Sequence, residues 1–147
     1  MWSKKFSSNP KDREVLIIHC SDYRFIHYIS EFLREDLGLT SYDLISVPGS
    51  VYFLASQLFP KFQWVGRRWL KFFIKHHGTK KIIIFSHHDC GWYKALNLVE
   101  KFTEKLHKDQ RDDAENMLKI MADLLEGVMV EHYFVDLDGN TVSISKL

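Results

Sequence analysis

KIIIFSHHDCG, residues 81–91, changes character at its middle, from an apolar run to a polar loop. Its first part, Lys81–Phe85, contains three consecutive β-branched isoleucines and a phenylalanine without polar alternation, which is typical of a strand covered on both faces of a parallel sheet. Its second part carries His87 and Cys90, two side chains of types that bind metals. The segment therefore predicts a buried strand with a chemically reactive loop at its carboxyl end.

A similar segment lies near the start of the chain. Val15–Ile18 is another continuous apolar run, β-branched except at Leu16, and it leads directly into HCSDYR, residues 19–24. Ligands of parallel α/β sheets bind at the carboxyl ends of the strands. If the two strands are neighbours, Cys20 and Cys90, the two cysteines of the chain, open onto one crevice.

The spacing of apolar residues in the remaining sequence predicts helices between these strands and further strands after them. The predicted helices are Phe25–Leu37, Gln63–His77, Trp92–His107 and Asp113–Leu125. The further predicted strands are Leu44–Val47, Val128–Val130 with His132–Val135, and Thr141–Ile144, with a hairpin turn at Asp138–Asn140. Strands that alternate with helices predict an α/β fold, in which a central, mainly parallel sheet is flanked by helices.

Length and composition restrict the class of protein. The chain has 147 residues, with 20 basic and 19 acidic side chains and a net charge of +1. This length predicts a single domain over residues 1–147, of which residues 1–13 form a polar N-terminal segment. The near-zero net charge and the short apolar runs argue against nucleic-acid or membrane partners, and residues 1–13 lack the apolar core of a signal peptide. We therefore expect a cytoplasmic protein.

Cys20, His87 and Cys90 together supply two thiolates and one imidazole, a donor set that suits Zn²⁺. Three protein ligands with an open fourth position are typical of a catalytic zinc. Asp22 can be a fourth ligand or an outer group, and Arg24 can hold it through a bidentate ion pair. The alternatives are two buried free thiols, a disulfide, or a phosphatase-like loop with a nucleophilic cysteine. For that loop, too few residues separate Cys20 from Arg24 to encircle a phosphate.

The motifs Cys20-x-Asp22-x-Arg24 and His87-x-x-Cys90-Gly91 together resemble the signature of the β-class carbonic anhydrases. The resemblance extends to the helix, glycine and buried strand that precede His87 and to the last strand and turn. It covers Val15 to Ile144. It implies a β-carbonic-anhydrase-like fold and a zinc-dependent carbonate dehydratase, which reversibly hydrates CO₂ to bicarbonate and a proton through zinc-bound hydroxide.

The same resemblance implies a role for each residue of the two motifs. The implied zinc ligands are Cys20, His87 and Cys90. Asp22 and Arg24 would be the catalytic dyad that orients the hydroxide, and in a closed form of the site Asp22 would bind zinc in place of water. Gly91 would offer its backbone N–H to the oxygens of the substrate.

The resemblance also implies a homodimer or a larger homo-oligomer, and it leaves two other functions open. Where members often have Arg-Asn-Ala-Gly after the second strand, this chain has SVPGS, residues 46–50, and keeps only the glycine. The altered Pro48-Gly49-Ser50 region keeps open a related zinc hydrolase that acts on COS or CS₂ with the same ligands. The other alternative is a non-catalytic zinc-binding protein, against which the retained Asp22 and Arg24 argue.

Overall fold

The computed structural model describes residues 14–56, 59–96 and 103–147, together with Met1 and Ser3. The rest of the polar N-terminal segment, residues 1–13, lies outside the described residues, as does the middle of the predicted helix Trp92–His107. The strands are β1 (Val15–His19), β2 (Asp43–Ser46), β3 (Lys81–His87), β4 (Met129–Asp138) and β5 (Thr141–Lys146). The helices are α1 (Tyr23–Glu35), α2 (Tyr52–Ala55), α3 (Pro60–Phe72), α4 (Gly91–Leu96) and α5 (Thr103–Ile120).

The five strands form one sheet in the order β2-β1-β3-β4-β5. β1 pairs in parallel with both β2 and β3, and β3 pairs in parallel with β4. β5 returns antiparallel to β4 through the predicted hairpin. The prediction of an α/β fold with a mainly parallel sheet is therefore confirmed, and β1 and β3 are neighbours as the site requires.

Helices cover both faces of the sheet, which explains why the strand runs show no polar alternation. Ile17 and Ile83 pack with α1 on one face. Leu16 and Ile82 point to the other face, where they pack with residues of α2, α3 and α5. Successive residues of a strand face opposite sides, so both sides of β1 and β3 are buried. None of the described helices is long and apolar enough to cross a bilayer.

The structure corrects the prediction of a helix break between His107 and Asp113. α5 runs without interruption from Thr103 to Ile120, so the predicted helix Asp113–Leu125 begins within it and ends after it. The reason is a buried stripe that continues through the polar stretch, and it consists of Leu106, Gln110, Ala114 and Met117. These residues recur every three or four positions, which keeps one face of a single helix toward the protein interior.

Two local features differ from the predicted elements. α2 is a single turn, Tyr52–Ala55, whose four residues are all buried, and a segment this short carries no periodic signal. The predicted helix Gln63–His77 begins earlier, at Pro60, and its last turn, Phe73–His77, is a π-helix. Gly78 ends that turn in the left-handed conformation that favours glycine, with a φ of 75°.

Candidate metal centre

The carboxyl ends of β1 and β3 bring three metal-binding side chains together. Cys20 follows β1 directly, His87 is the last residue of β3, and Cys90 lies in the loop before α4. Their ligand atoms all lie within 4.8 Å of one another, and all three side chains are buried. The two sulfur atoms are 3.9 Å apart. Residues far apart in the sequence thus form one compact donor cluster because their strands are adjacent and parallel.

The imidazole of His87 is oriented with a free lone pair inside this cluster. Its Nδ1 lies 2.8 Å from the carbonyl oxygen of His88, and since a carbonyl only accepts, Nδ1 carries the proton. Nε2 of the neutral ring is then an acceptor, and it is buried without a hydrogen-bond partner among the described residues. An orphaned buried nitrogen beside two cysteine sulfurs fits a metal ion, because a ligating histidine ordinarily donates its other ring N–H to such an outer group.

The two cysteines are electrostatically unequal. The hydrogen bond from the Cys90 thiol lowers the pKa of Cys20, and the same interaction raises the pKa of Cys90. The backbone N–H of Gly49 also points at Cys20 Sγ, at 3.4 Å, and stabilises its thiolate. Cys20 is therefore readily deprotonated to a thiolate. A bound metal ion would take the place of the proton that the Cys90 thiol retains.

Asp22 and Arg24 form the ion pair that their spacing predicts. Asp22 caps α1 by accepting a hydrogen bond from the backbone N–H of Arg24. Its carboxylate also accepts from Nε of Arg24 at 3.0 Å and from Nη2 at 2.7 Å. These hydrogen bonds hold the pKa of Asp22 below its usual value. No carboxylate of the described residues joins the 4.8 Å donor cluster, so Asp22 lies outside it and beside Arg24.

Asp89 connects the two halves of the site, although the sequence suggests only a loop residue there. Nη2 of Arg24 donates to its backbone oxygen at 3.2 Å, and its carboxylate faces Arg24 and pairs with Lys94. Asp89 has a φ of 57°, in the left-handed region that aspartate tolerates better than most residues. The position of Asp89 between His87 and Cys90 is the only sign in the sequence of a role at the site. Its contact with Arg24 depends on the fold and could not be inferred from the sequence.

An open cleft of about 590 Å³ lies over the site. Its lining includes Cys20, Asp22 and Arg24 from one segment and Gly91 from the other. Gly91, the predicted substrate contact, therefore reaches the same cleft as the ion pair. His19, next to Cys20, is buried, and burial lowers its pKa.

An apolar cavity of about 330 Å³ adjoins this cleft, with Pro48 and Trp92 lining both. Gly49 has a φ of 76°, and a Cβ at this position would lie 2.3 Å from Cδ1 of Trp92. Both the backbone conformation and the close approach of the indole ring therefore require glycine. This explains why the altered segment after β2 still contains one.

Comparison with known proteins identifies one family and several structures of similar fold. Residues 10–145 match the family described as "Putative carbonic anhydrase". An uncharacterized protein of Rickettsia bellii is 25% identical over 140 residues, which cover 93% of this chain and 85% of that protein.

Among solved structures, the carbonic anhydrase of Streptococcus mutans superposes with a TM-score of 0.58 and 20% identity, covering 97% of this chain and 87% of that one. The β-carbonic anhydrase of Aspergillus fumigatus also gives 0.58, at 15% identity, covering 91% and 74%. One of two tetrameric β-carbonic anhydrases from Sordaria macrospora gives the same score at 16% identity, covering 91% and 80%. At these identities the likeness shows a shared fold.

Proposed function

This chain belongs to the family described as putative carbonic anhydrases, and on that premise we propose that it is a zinc-dependent carbonate dehydratase of the β class that interconverts CO₂ and bicarbonate. The observation that carries the proposal is the buried, unpartnered Nε2 of His87, which shares a 4.8 Å cluster with two cysteine sulfurs. The neighbouring ion pair of Asp22 and Arg24 favours an enzyme over a purely structural metal site, since a structural site does not need it.

We propose Cys20, His87 and Cys90 as the zinc ligands. Zinc bound there would lower the pKa of a coordinated water toward 7 and so supply a nucleophile at neutral pH. The protein itself would orient that nucleophile, through the carboxylate of Asp22. Asp22 stays ionised because Arg24 holds it, and its carboxylate can accept a hydrogen bond that directs the nucleophile toward carbon.

Arg24 is in turn anchored across the cleft. Its contacts to Asp89 tie the segment after β1 to the loop after β3, so the carboxylate and the ligand cluster keep a fixed relation. Gly91 would contribute its backbone N–H to the oxygens of the substrate at the cleft wall. Each of these tasks falls to a residue in one of the two segments that follow β1 and β3, and the two adjacent strands position both segments.

Stopped-flow hydration of CO₂ by the purified protein, at several pH values and with zinc quantified in the same sample, tests the proposal. We expect about one zinc per chain and a rate that rises with pH through the neutral range. Inactivity near pH 7 with recovery at higher pH would indicate that Asp22 occupies the fourth zinc position at rest.

The same samples should be assayed with COS, because the apolar Pro48 and Trp92 also suit that substrate. Turnover of COS alone would replace the carbonic anhydrase proposal by the hydrolase. Zinc binding without any turnover would indicate a non-catalytic zinc protein, and a purified protein without zinc would refute the metal site.

We also propose that the chain forms a homodimer or a larger homo-oligomer. Large apolar side chains on and around α3 and on the edge strand β2 are between 42% and 61% exposed, and they are Leu44, Phe59, Phe62, Trp64, Trp69 and Phe72. Exposed aromatic clusters of this kind are typical of protein interfaces. The tetrameric Sordaria macrospora enzymes of similar fold give this proposal further support.

A variant that carries Trp64→Glu and Phe72→Glu is expected to reduce the molar mass to that of the monomer, because charges would be buried in the interface. Light scattering after size exclusion measures this directly. Tyr28→Glu, on the helix that covers the other face of the sheet, is the matched control and should leave the mass unchanged. A monomeric wild type at tens of micromolar would contradict the proposal.

A further inference from the structure

Gln110 is a buried polar residue on α5, and its side chain contacts the backbone of His87 rather than solvent. It is 2% exposed. Its Oε1 accepts a hydrogen bond from the N–H of His87 at 3.0 Å, and its Nε2 donates to the carbonyl oxygen of the same residue at 2.9 Å. Nε2 also donates to the carbonyl oxygen of Leu106, one turn earlier on α5, at 3.3 Å. Both N–H groups and the oxygen of the Gln110 amide are thus hydrogen-bonded.

The pairing of the strands explains why His87 needs these hydrogen bonds. The ladder between β1 and β3 ends at the pair Ile18 and Ile84, whereas β3 continues to His87 beside β4. The next amide, that of His88, donates to Val135 on the β4 side. Because backbone groups alternate in direction along a strand, those of His87 face the side that β1 has already left. The backbone N–H and C=O of His87 are buried there, and Gln110 provides the hydrogen bonds that a neighbouring strand would have provided.

The orientation of this amide follows from its partners. A backbone N–H can only donate and a carbonyl can only accept, so Oε1 must face the first and Nε2 the second. The bond back to Leu106 fixes the side chain against its own helix. α5 therefore holds the end of β3 at a defined position, through a side chain whose orientation three hydrogen bonds fix.

We infer that Gln110 is a positioning residue for the metal ligand His87. The inference rests on the metal site proposed above. Two constraints set the direction of Nε2 of His87. One is the hydrogen bond from Nδ1 of its ring to the carbonyl oxygen of His88, and the other is the pair of hydrogen bonds between Gln110 and the His87 backbone. Without Gln110 the last residue of β3 loses its support on one side, and the ring no longer meets the two sulfur atoms at a fixed angle. Groups that orient a metal ligand typically contribute about 10–100-fold to metal affinity.

The test is to measure Zn²⁺ affinity of Gln110→Met by competition with a chromophoric chelator, and to record the visible spectrum of the Co²⁺ form. Methionine keeps the length and removes the amide. We expect Zn²⁺ to bind about 10–100-fold more weakly and the Co²⁺ bands to shift, with far-UV circular dichroism retained. Gln110→Glu, which keeps the acceptor for the N–H and loses both donors, is a second variant with the same expected direction.

Met117→Ala is the matched control. Met117 lies two turns further along α5 and is fully buried in the hydrophobic core on the α3 side of the sheet. Its truncation destabilises the fold, but it should leave the Co²⁺ spectrum and Zn²⁺ affinity unchanged. Equal losses in Met117→Ala and Gln110→Met would overturn the positioning role, and so would wild-type affinity in both Gln110 variants. A wild type that binds neither ion would refute the metal site and the inference together.

Discussion

Cys90→Ser is expected to reduce the zinc content from about one ion per chain to nearly none, and CO₂ hydration should disappear with it. A serine hydroxyl is not ionised at neutral pH and is a poor ligand for a soft site. It also leaves Cys20 and His87 as the two remaining members of a buried cluster to which no carboxylate of the described residues belongs. The measurement is elemental analysis of freshly purified protein beside the activity assay.

Cys20→Ser and His87→Ala should give the same loss, since each removes one donor of the cluster. His27→Ala is the matched control for the histidine, because His27 is largely exposed on α1, where it pairs with Glu31. It should retain zinc and activity. A Cys90→Ser protein that still contains one zinc per chain would refute the ligand assignment.

Asp22→Asn is expected to separate metal binding from turnover. The variant should retain zinc, because the carboxylate lies outside the donor cluster. It should lose about 10²-fold or more in kcat/KM, which is the scale of a positioned proton acceptor. Asparagine keeps the shape of the side chain but not its charge, and it gives up the ion pair with Arg24.

Arg24→Ala should have an effect of similar size, since it releases the carboxylate that it holds and breaks the link to Asp89. Because the two residues act as a unit, the double variant should be little worse than either single one. Arg34→Ala removes an exposed ion pair with Glu35 on the same helix and should be neutral. Full turnover in both single variants would contradict the proposed mechanism.

The sequence was sufficient to predict the sheet and the residues that meet at the candidate site. The runs Val15–Ile18 and Ile82–Phe85 identified the two central strands because burial on both faces leaves no polar positions. Both cysteines follow such strands, and the geometry of parallel sheets then places them at one edge. The spacing of Asp22 and Arg24 likewise predicted their ion pair, because it is a local interaction.

The features that escaped prediction depend on contacts between distant segments. Gln110 lies in a polar stretch, and only its packing under the end of β3 shows that it is buried. Asp89 is an ordinary turn residue until α1 brings Arg24 beside it. The predicted break in α5 falls in the same polar stretch, where few apolar residues mark a period, whereas buried residues at helical spacing keep one face of a single helix inside.

A metal ion in this cluster would join Cys20 to Cys90, which are 70 residues apart. It would then act as a reversible cross-link over almost half of the chain. Because the folded chain brings the two cysteines together, the binding free energy of the ion adds to the stability of the folded state. Zinc supply would therefore govern the amount of folded protein as well as its activity, and depletion of the ion would expose the chain to proteolysis before any residue is altered.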